Sequence, residues 1–153
     1  MLENIFSPIT RESVFKQVMS DEQNCLGLLQ ITLEDLNLQT ADIVLGRKGA
    51  SNFDYNWNQL NILSKSQSGD VYNIKLNMFN NPKNYHRYMK GMNPDAWEPA
   101  RPIPTKGTYI ICFCTFDPFN QGKAIYEFNL KRENDDREME DWVHVKVLSA
   151  ATM

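Results

Sequence analysis

Apolar residues recur along this chain at two spacings, and each change of spacing marks a change of element. Val14, Phe15, Val18 and Met19 fall three and four apart after Thr10, a good helix-capping residue, which predicts an amphipathic helix. Ser20 with Gln23 has the form of a capping box for a second helix, which carries Leu28, Leu29, Leu33 and Leu36 and ends near Asn37. Ile43-Val44-Leu45 reads as a short strand, and residues 46–58 as a polar loop or edge segment with aromatic insertions.

The spacing then becomes strictly two. Tyr72, Ile74, Leu76 and Met78 alternate with Asn73, Lys75 and Asn77, the period of a strand with one apolar face. Gln59 to Ser64 precede this run across a turn at 66–70. Leu60 and Ile62 must join the apolar face, because slipping the pairing by one residue would set them opposite Asn and Lys. The register that satisfies this pairs Leu60 with Leu76 and Ile62 with Ile74. It also places Asn61 beside Lys75 and Gln59 beside Asn77. Gln67-Ser68-Gly69 is left as a three-residue loop, with glycine where a left-handed residue is needed.

Asn81-Pro82 caps a third helix running through Met89, with Gly91 at its end. Residues 93–106 hold four of the seven prolines and read as an extended connection within one domain. Tyr109 to Phe116 is apolar on both faces, as a central strand is. Asp117-Pro118 and Asn120-Gln121-Gly122 mark a turn. Tyr126, Phe128 and Leu130 then alternate with polar residues, as do Val143, Val145 and Val147, giving two further strands. Helices lead, strands dominate the middle, and one helix crosses between sheet segments. The order predicts an α/β domain spanning 1–153, with a central mixed β-sheet flanked by α-helices.

Composition narrows the function classes. Of 153 residues, 42% are hydrophobic and 23% charged, ordinary globular values. The net charge of −3 argues mildly against a dedicated DNA binder, because neutralising phosphates drives that binding and usually leaves a basic excess. The three cysteines, Cys25, Cys112 and Cys114, have no framework or zinc spacing and read as buried, reduced thiols. No signal-peptide core and no membrane-length apolar run is present, so the cytoplasm is the expected location. His86 and His144 lie far apart in sequence, and no nucleophile motif or phosphate-binding glycine loop accompanies them.

The hairpin resembles that of the PD-(D/E)XK nuclease family transposases, the recombination-promoting nucleases. That family reads roughly Arg-Leu-Asp on the first strand and Tyr-Asn-Ile-Glu-Met-Gln on the second. Here the matching segments are Gln59-Leu60-Asn61 and Tyr72-Asn73-Ile74-Lys75-Leu76-Asn77. Phe6 to Lys16 looks like the family's opening helix. Ile111-Cys112-Phe113-Cys114-Thr115-Phe116-Asp117-Pro118-Phe119, with Gly122, Ile125 and Tyr126, is the most specific match. The resemblance implies a restriction-endonuclease-like core. It also implies a degenerate metal site, since the metal-binding Asp and Glu are replaced by Asn61 and Lys75, the trailing Gln by Asn77, and only Glu12 is retained. A divalent cation needs hard anionic oxygens, so no catalytic residue, metal or other cofactor is expected.

On the residues alone, the Gln59, Asn61, Lys75, Asn77 face is a solvated side of a sheet. With the resemblance it is a relic pocket, in which Lys75 could pair with Glu12. The expected function is that of a catalytically inactive homologue acting by binding a protein or nucleoprotein, such as a mobile-element-encoded inhibitor of a host defence complex (anti-CRISPR-like). Candidate binding residues are Arg11, Lys16, Lys83 and Arg87 for nucleic acid, Trp57 and Trp97 as aromatic anchors, and Asp135, Asp136 and Glu138 in an acidic run. Three rivals stand beside this reading. One is a residual Mg²⁺-dependent nuclease using Glu12 and Asp54. Another is a non-catalytic DNA-binding module, and the third a decaying transposase without a selected role. Oligomeric state is left open.

Overall fold

The structure, a computed structural model, describes residues 12–44, 59–91, 103–130 and 143–150. In chain order the elements are α1 (Glu12–Met19), α2 (Glu22–Thr32), a 3₁₀ turn (Glu34–Leu36), β1 (Asp42–Val44), β2 (Gln59–Lys65), β3 (Val71–Phe79), α3 (Pro82–Lys90), β4 (Gly107–Cys114), β5 (Ile125–Leu130) and β6 (Val143–Ser149). The strands form one mixed sheet in the order β1-β2-β3-β4-β6-β5. β3, β4 and β6 run parallel, while β1, β2 and β5 are antiparallel to their neighbours. The fold is therefore α/β with an open mixed sheet. The residues of the acidic run, and Arg11, Asp54, Trp57 and Trp97, lie outside the described residues, as do Thr10 and the segment 46–58.

The hairpin adopts the register that its hydrophobic pattern demands. Leu60 faces Leu76, Ile62 faces Ile74, Asn61 faces Lys75 and Gln59 faces Asn77. Ser66 and Asp70 close the loop through a backbone bond of 2.8 Å, and Gly69 takes φ 93°, which only glycine adopts without strain. Alternation then splits the sheet into two faces. Leu60, Ile62, Tyr72, Ile74, Leu76, Met78 and Ile111 pack under α1 and α2, with Phe15, Cys25, Leu29 and Leu33. Phe79, Ile110, Cys112, Cys114, Val143, Val145 and Val147 pack with Tyr85 of α3 on the other face. β4 contributes to both clusters, as expected of a central strand with helices on both sides.

Several boundaries differ from the sequence expectation. Asp21, not Ser20, caps α2: its side chain accepts from the Asn24 backbone N–H, whereas the Ser20 hydroxyl donates back to the Lys16 carbonyl. The α-helix stops at Thr32 and the chain continues as a 3₁₀ turn before Asn37 turns left-handed at φ 49°. β1 comprises Asp42–Val44, which holds Ile43 and Val44 of the expected strand, while β4, Gly107–Cys114, is displaced towards the N-terminus of the expected run. Gly91 ends α3 at φ −82°, so the left-handed form is not used there. Asn81 caps α3 as expected, accepting from Lys83 N–H.

The turn after β4 is organised by one carboxylate. Asp117 accepts from the backbone N–H groups of Phe119, Asn120 and Gly122 and from the Tyr126 hydroxyl at 2.7 Å. The Tyr126 bond, with the three N–H groups, holds its carboxyl below the usual range. A carboxylate stabilised in this way contributes above its unfolded pKa and loses that contribution as pH falls through the lower folded value. Asp117→Asn is therefore expected to lower the melting temperature at neutral pH. The deficit should shrink as the solution is acidified below the carboxylate range, and thermal melts at a series of pH values would measure it.

Candidate functional site: a buried polar network on the hairpin

Strand alternation puts Asn61 of β2 and Asn73, Lys75 and Asn77 of β3 on the face shared with α3. A solvated sheet face would leave them open, and this one does not: Asn73 and Asn77 are 1% exposed and Lys75 is 6% exposed. The expectation of a solvated face is thereby corrected. Burial of amides and an ammonium is tolerated only when their hydrogen bonds are made internally.

Asn73 donates to the Thr108 hydroxyl at 3.4 Å, and Asn61, Lys75 and Asn77 join Gln59 and Tyr88 in a set of linked bonds. Lys75 Nζ donates to Asn61 Oδ1 at 2.9 Å, and Gln59 Nε2 donates to the same oxygen at 3.1 Å. The Tyr88 hydroxyl reaches over from α3 and donates to Gln59 Oε1 at 2.8 Å. Asn77 Nδ2 in turn donates to that hydroxyl at 3.2 Å. Burial raises the Tyr88 phenol well above its ordinary pKa, with Cys112 adding to the effect and the Asn77 bond opposing it, so Tyr88 remains a donor at all ordinary pH. Sequence reading missed Tyr88. Its one signal was position: Tyr85, Tyr88 and Met89 form the inward stripe of α3 at spacings of three and four.

This network is chemically closed to a metal ion. The Asn61 oxygen already accepts two donors, one of them the Lys75 ammonium. At about 4 Å, an ammonium repels a divalent ion by roughly 8 kcal/mol at an effective dielectric constant near 20, several orders of magnitude in affinity. Among the described residues no group of three His, Cys, Asp or Glu side chains is placed to hold a metal. The side chains at these positions, amides and an ammonium, do not offer the hard anionic oxygens that a divalent cation such as Mg²⁺ needs.

The remaining candidates separate in space. Phe15 of α1 packs against Phe113, with ring centroids 5.6 Å apart, so the helix carrying Glu12 and Lys16 lies on the sheet face opposite Lys75. The Glu12 side chain lies outside the described residues, and with it the Lys75–Glu12 pairing; Lys75 donates to Asn61 on its own face. Lys83 and Arg87 are exposed on α3, where His86 and Lys90 share their side at spacings of three and four. The helices bearing Lys16 and the Lys83–Arg87 pair thus lie on opposite faces. Arg87 and Lys90 complement the helix dipole in the last turn, but Lys83 opposes it in the first, where no acid is present.

Cys25, Cys112 and Cys114 are buried free thiols. Burial pushes Cys25 and Cys114 up to about 12 and Cys112 well above its ordinary value, so none is a thiolate nucleophile at neutral pH. His144 of β6 stacks on Tyr109 at 4.7 Å and meets Asn129 Oδ1 of the edge strand β5 at 2.8 Å, a packing role. A shallow cavity of about 330 Å³ lies elsewhere, by the hairpin turn, between Asp35, Asn37, Asp70, Tyr72 and Lys106. Its Asp70 and Lys106 pair with each other at 3.1 Å. Among the described residues no helix is long and apolar enough to cross a membrane.

No family model, curated protein or solved structure matches the chain.

Proposed function

We propose that this chain is a non-catalytic relative of the recombination-promoting PD-(D/E)XK nucleases, with a restriction-endonuclease-like core, and that it acts by binding a protein or nucleoprotein. The observation that carries the reading is the Lys75–Asn61 bond at 2.9 Å. It occupies the two hairpin positions at which such a nuclease holds its cation. The order β2-β3-α3-β4, with an antiparallel hairpin feeding a helical crossover to a parallel strand, accords with that core. A mobile-element inhibitor of a host defence nucleoprotein, anti-CRISPR-like, is the class that suits a small acidic protein derived from such a nuclease. The bacterial cytoplasm is its setting.

The exposed basic side of α3 favours a second reading, a non-catalytic DNA-binding module. Lys83, Arg87 and Lys90 form a cationic row on a helix without acids. Such a row would bind phosphates without sequence preference and with steep salt dependence.

One set of assays separates these readings. Plasmid and single-stranded DNA are incubated with the purified protein and Mg²⁺ or Mn²⁺, beside an Asn61→Asp, Lys75→Glu variant, and binding is followed at low and high salt. The expected result is no cleavage by the wild type and no low-salt DNA retention that Lys83→Glu, Arg87→Glu abolishes. Retention lost in that charge-reversal variant would establish the DNA-binding reading instead. Wild-type cleavage that disappears with Glu12→Ala would make the protein an enzyme with a rebuilt site.

A further inference from the structure

β5 ends the sheet, and among the described residues nothing pairs with its outer side. The direction of its backbone follows from one bond: Ser149 N–H donates to the Ala124 carbonyl at 2.8 Å. With Ile125 opposite Leu148, the even-numbered residues 126, 128 and 130 point their N–H and C=O groups at β6. Ile125, Glu127 and Asn129 therefore present theirs outward, to an edge that no described residue pairs with.

Edges of this kind are usually blunted by lysine, proline, a bulge or very short length. β5 has none of these. Its six residues, IYEFNL, pair with β6 in unbroken register. Of the exposed large apolar residues, Ile125 (51% exposed) opens the strand and Phe119 lies beside it, its ring 4.6 Å from Tyr126 and 6.3 Å from Phe128. Glu127 is the one charge on the strand, and Lys146 of β6 neutralises it at 3.2 Å.

We infer that β5 is a homodimerisation edge that pairs antiparallel with β5 of a second copy about a two-fold axis at Phe128. The strand is complementary to itself in that register. Glu127 faces Asn129 of the other copy as a hydrogen-bonded pair, and the symmetric pair repeats it, so all outward groups of these residues are satisfied. Phe128 meets its own copy in a non-hydrogen-bonded position, where side chains approach most closely, and Tyr126 meets Leu130. Sliding the axis by one residue to Glu127 would oppose two carboxylates directly. Sliding it to Asn129 would leave Glu127 without a described partner. The result joins two six-stranded sheets into one continuous sheet. Such an edge contact is small, so association is expected to depend on concentration. This inference is independent of the function proposed above.

The test exploits the axis. In the pairing described, Phe128 Cα atoms of the two copies lie about 4.5 Å apart, within disulfide range. Those of Ile125 lie roughly 20 Å apart, at about 3.4 Å per residue. The native thiols are buried and do not compete. Under mild oxidation Phe128→Cys is expected to run mostly as a covalent dimer on a non-reducing gel, and Ile125→Cys as a monomer. Equal cross-linking of both, or none in either, overturns the inference. Because Phe128 also packs against the core, a second variant is used. Asn129→Pro removes an outward N–H that makes no bond within the sheet. It should keep the native circular dichroism and convert a light-scattering dimer to a monomer. A wild type that is monomeric, or a proline variant that stays dimeric, overturns it equally.

Discussion

Ile111→Ala is expected to destabilise the protein by about 3–4 kcal/mol, read as a lowered urea midpoint at unchanged slope. Ile111 is fully buried near the centre of β4, with Leu76 on one neighbouring strand and Lys146 on the other. Its side chain faces the cluster that includes Phe15 and Leu29 under α1 and α2. Truncation there removes the transfer term and leaves a cavity whose walls sit on hydrogen-bonded strands, which cannot collapse inward as a loop could. That places the cost in the upper part of the range for such changes, a large share of a typical domain's 5–15 kcal/mol. Ile31 supplies the control. It is 78% exposed on α2, and Ile31→Ala should change stability by less than about 0.5 kcal/mol. Similar losses at both positions would contradict the arrangement of the sheet under α2.

The second large effect is an asymmetry within the polar network. Asn61→Leu keeps the Lys75 ammonium in its 6%-exposed position and removes the acceptor it holds at 2.9 Å. It also orphans the Gln59 amide donor. A charge-assisted bond lost at a buried group costs about 1.5–3 kcal/mol. Because Asn61 keeps a half-exposed edge that admits some water, the lower part of that range is expected. Lys75→Met removes the buried charge together with its need for a partner, and Asn61 still accepts from Gln59. Replacing a buried ion with an apolar chain of similar length is often neutral or stabilising, so this variant should change stability by less than about 1 kcal/mol. The order Asn61→Leu well below Lys75→Met in chemical denaturation is the signature. The reverse order would mean that Lys75 contributes chiefly through contacts other than Asn61. The same pair bears on function. If the ammonium stands where a nuclease holds its metal, the fold should survive its loss without gaining cleavage, because no carboxylate takes its place.

Much of this architecture was written locally. The two-residue period of β3, the demand that Leu60 and Ile62 meet Leu76 and Ile74, and a glycine at the end of the loop determined the hairpin register and the juxtaposition of Asn61 with Lys75. Short-range chemistry also located α3, through Asn81 and Pro82, and identified β4 as central, because a run apolar on both faces requires cover on both. These inferences succeed because side-chain alternation and capping act over a few residues, where the chain itself supplies both partners.

Other features depended on neighbours distant in sequence. Nothing local showed that the Asn73, Lys75 and Asn77 side is buried; at Asn77 the crossover brings α3 onto that face and sets the Tyr88 hydroxyl between Gln59 and Asn77. Nor could spacing show that Lys16 and Arg87 ride on helices packed against opposite faces. The start of α2 turned on a competition between two adjacent caps, which Asp21 won once Ser20 bonded back to α1. Which strand ends the sheet, and which of its backbone groups face outward, likewise emerged only from the pairing of β6 between β4 and β5. Periodicity states which side of an element is apolar. What covers the opposite side is a long-range contact, and only the assembled tertiary structure decides it.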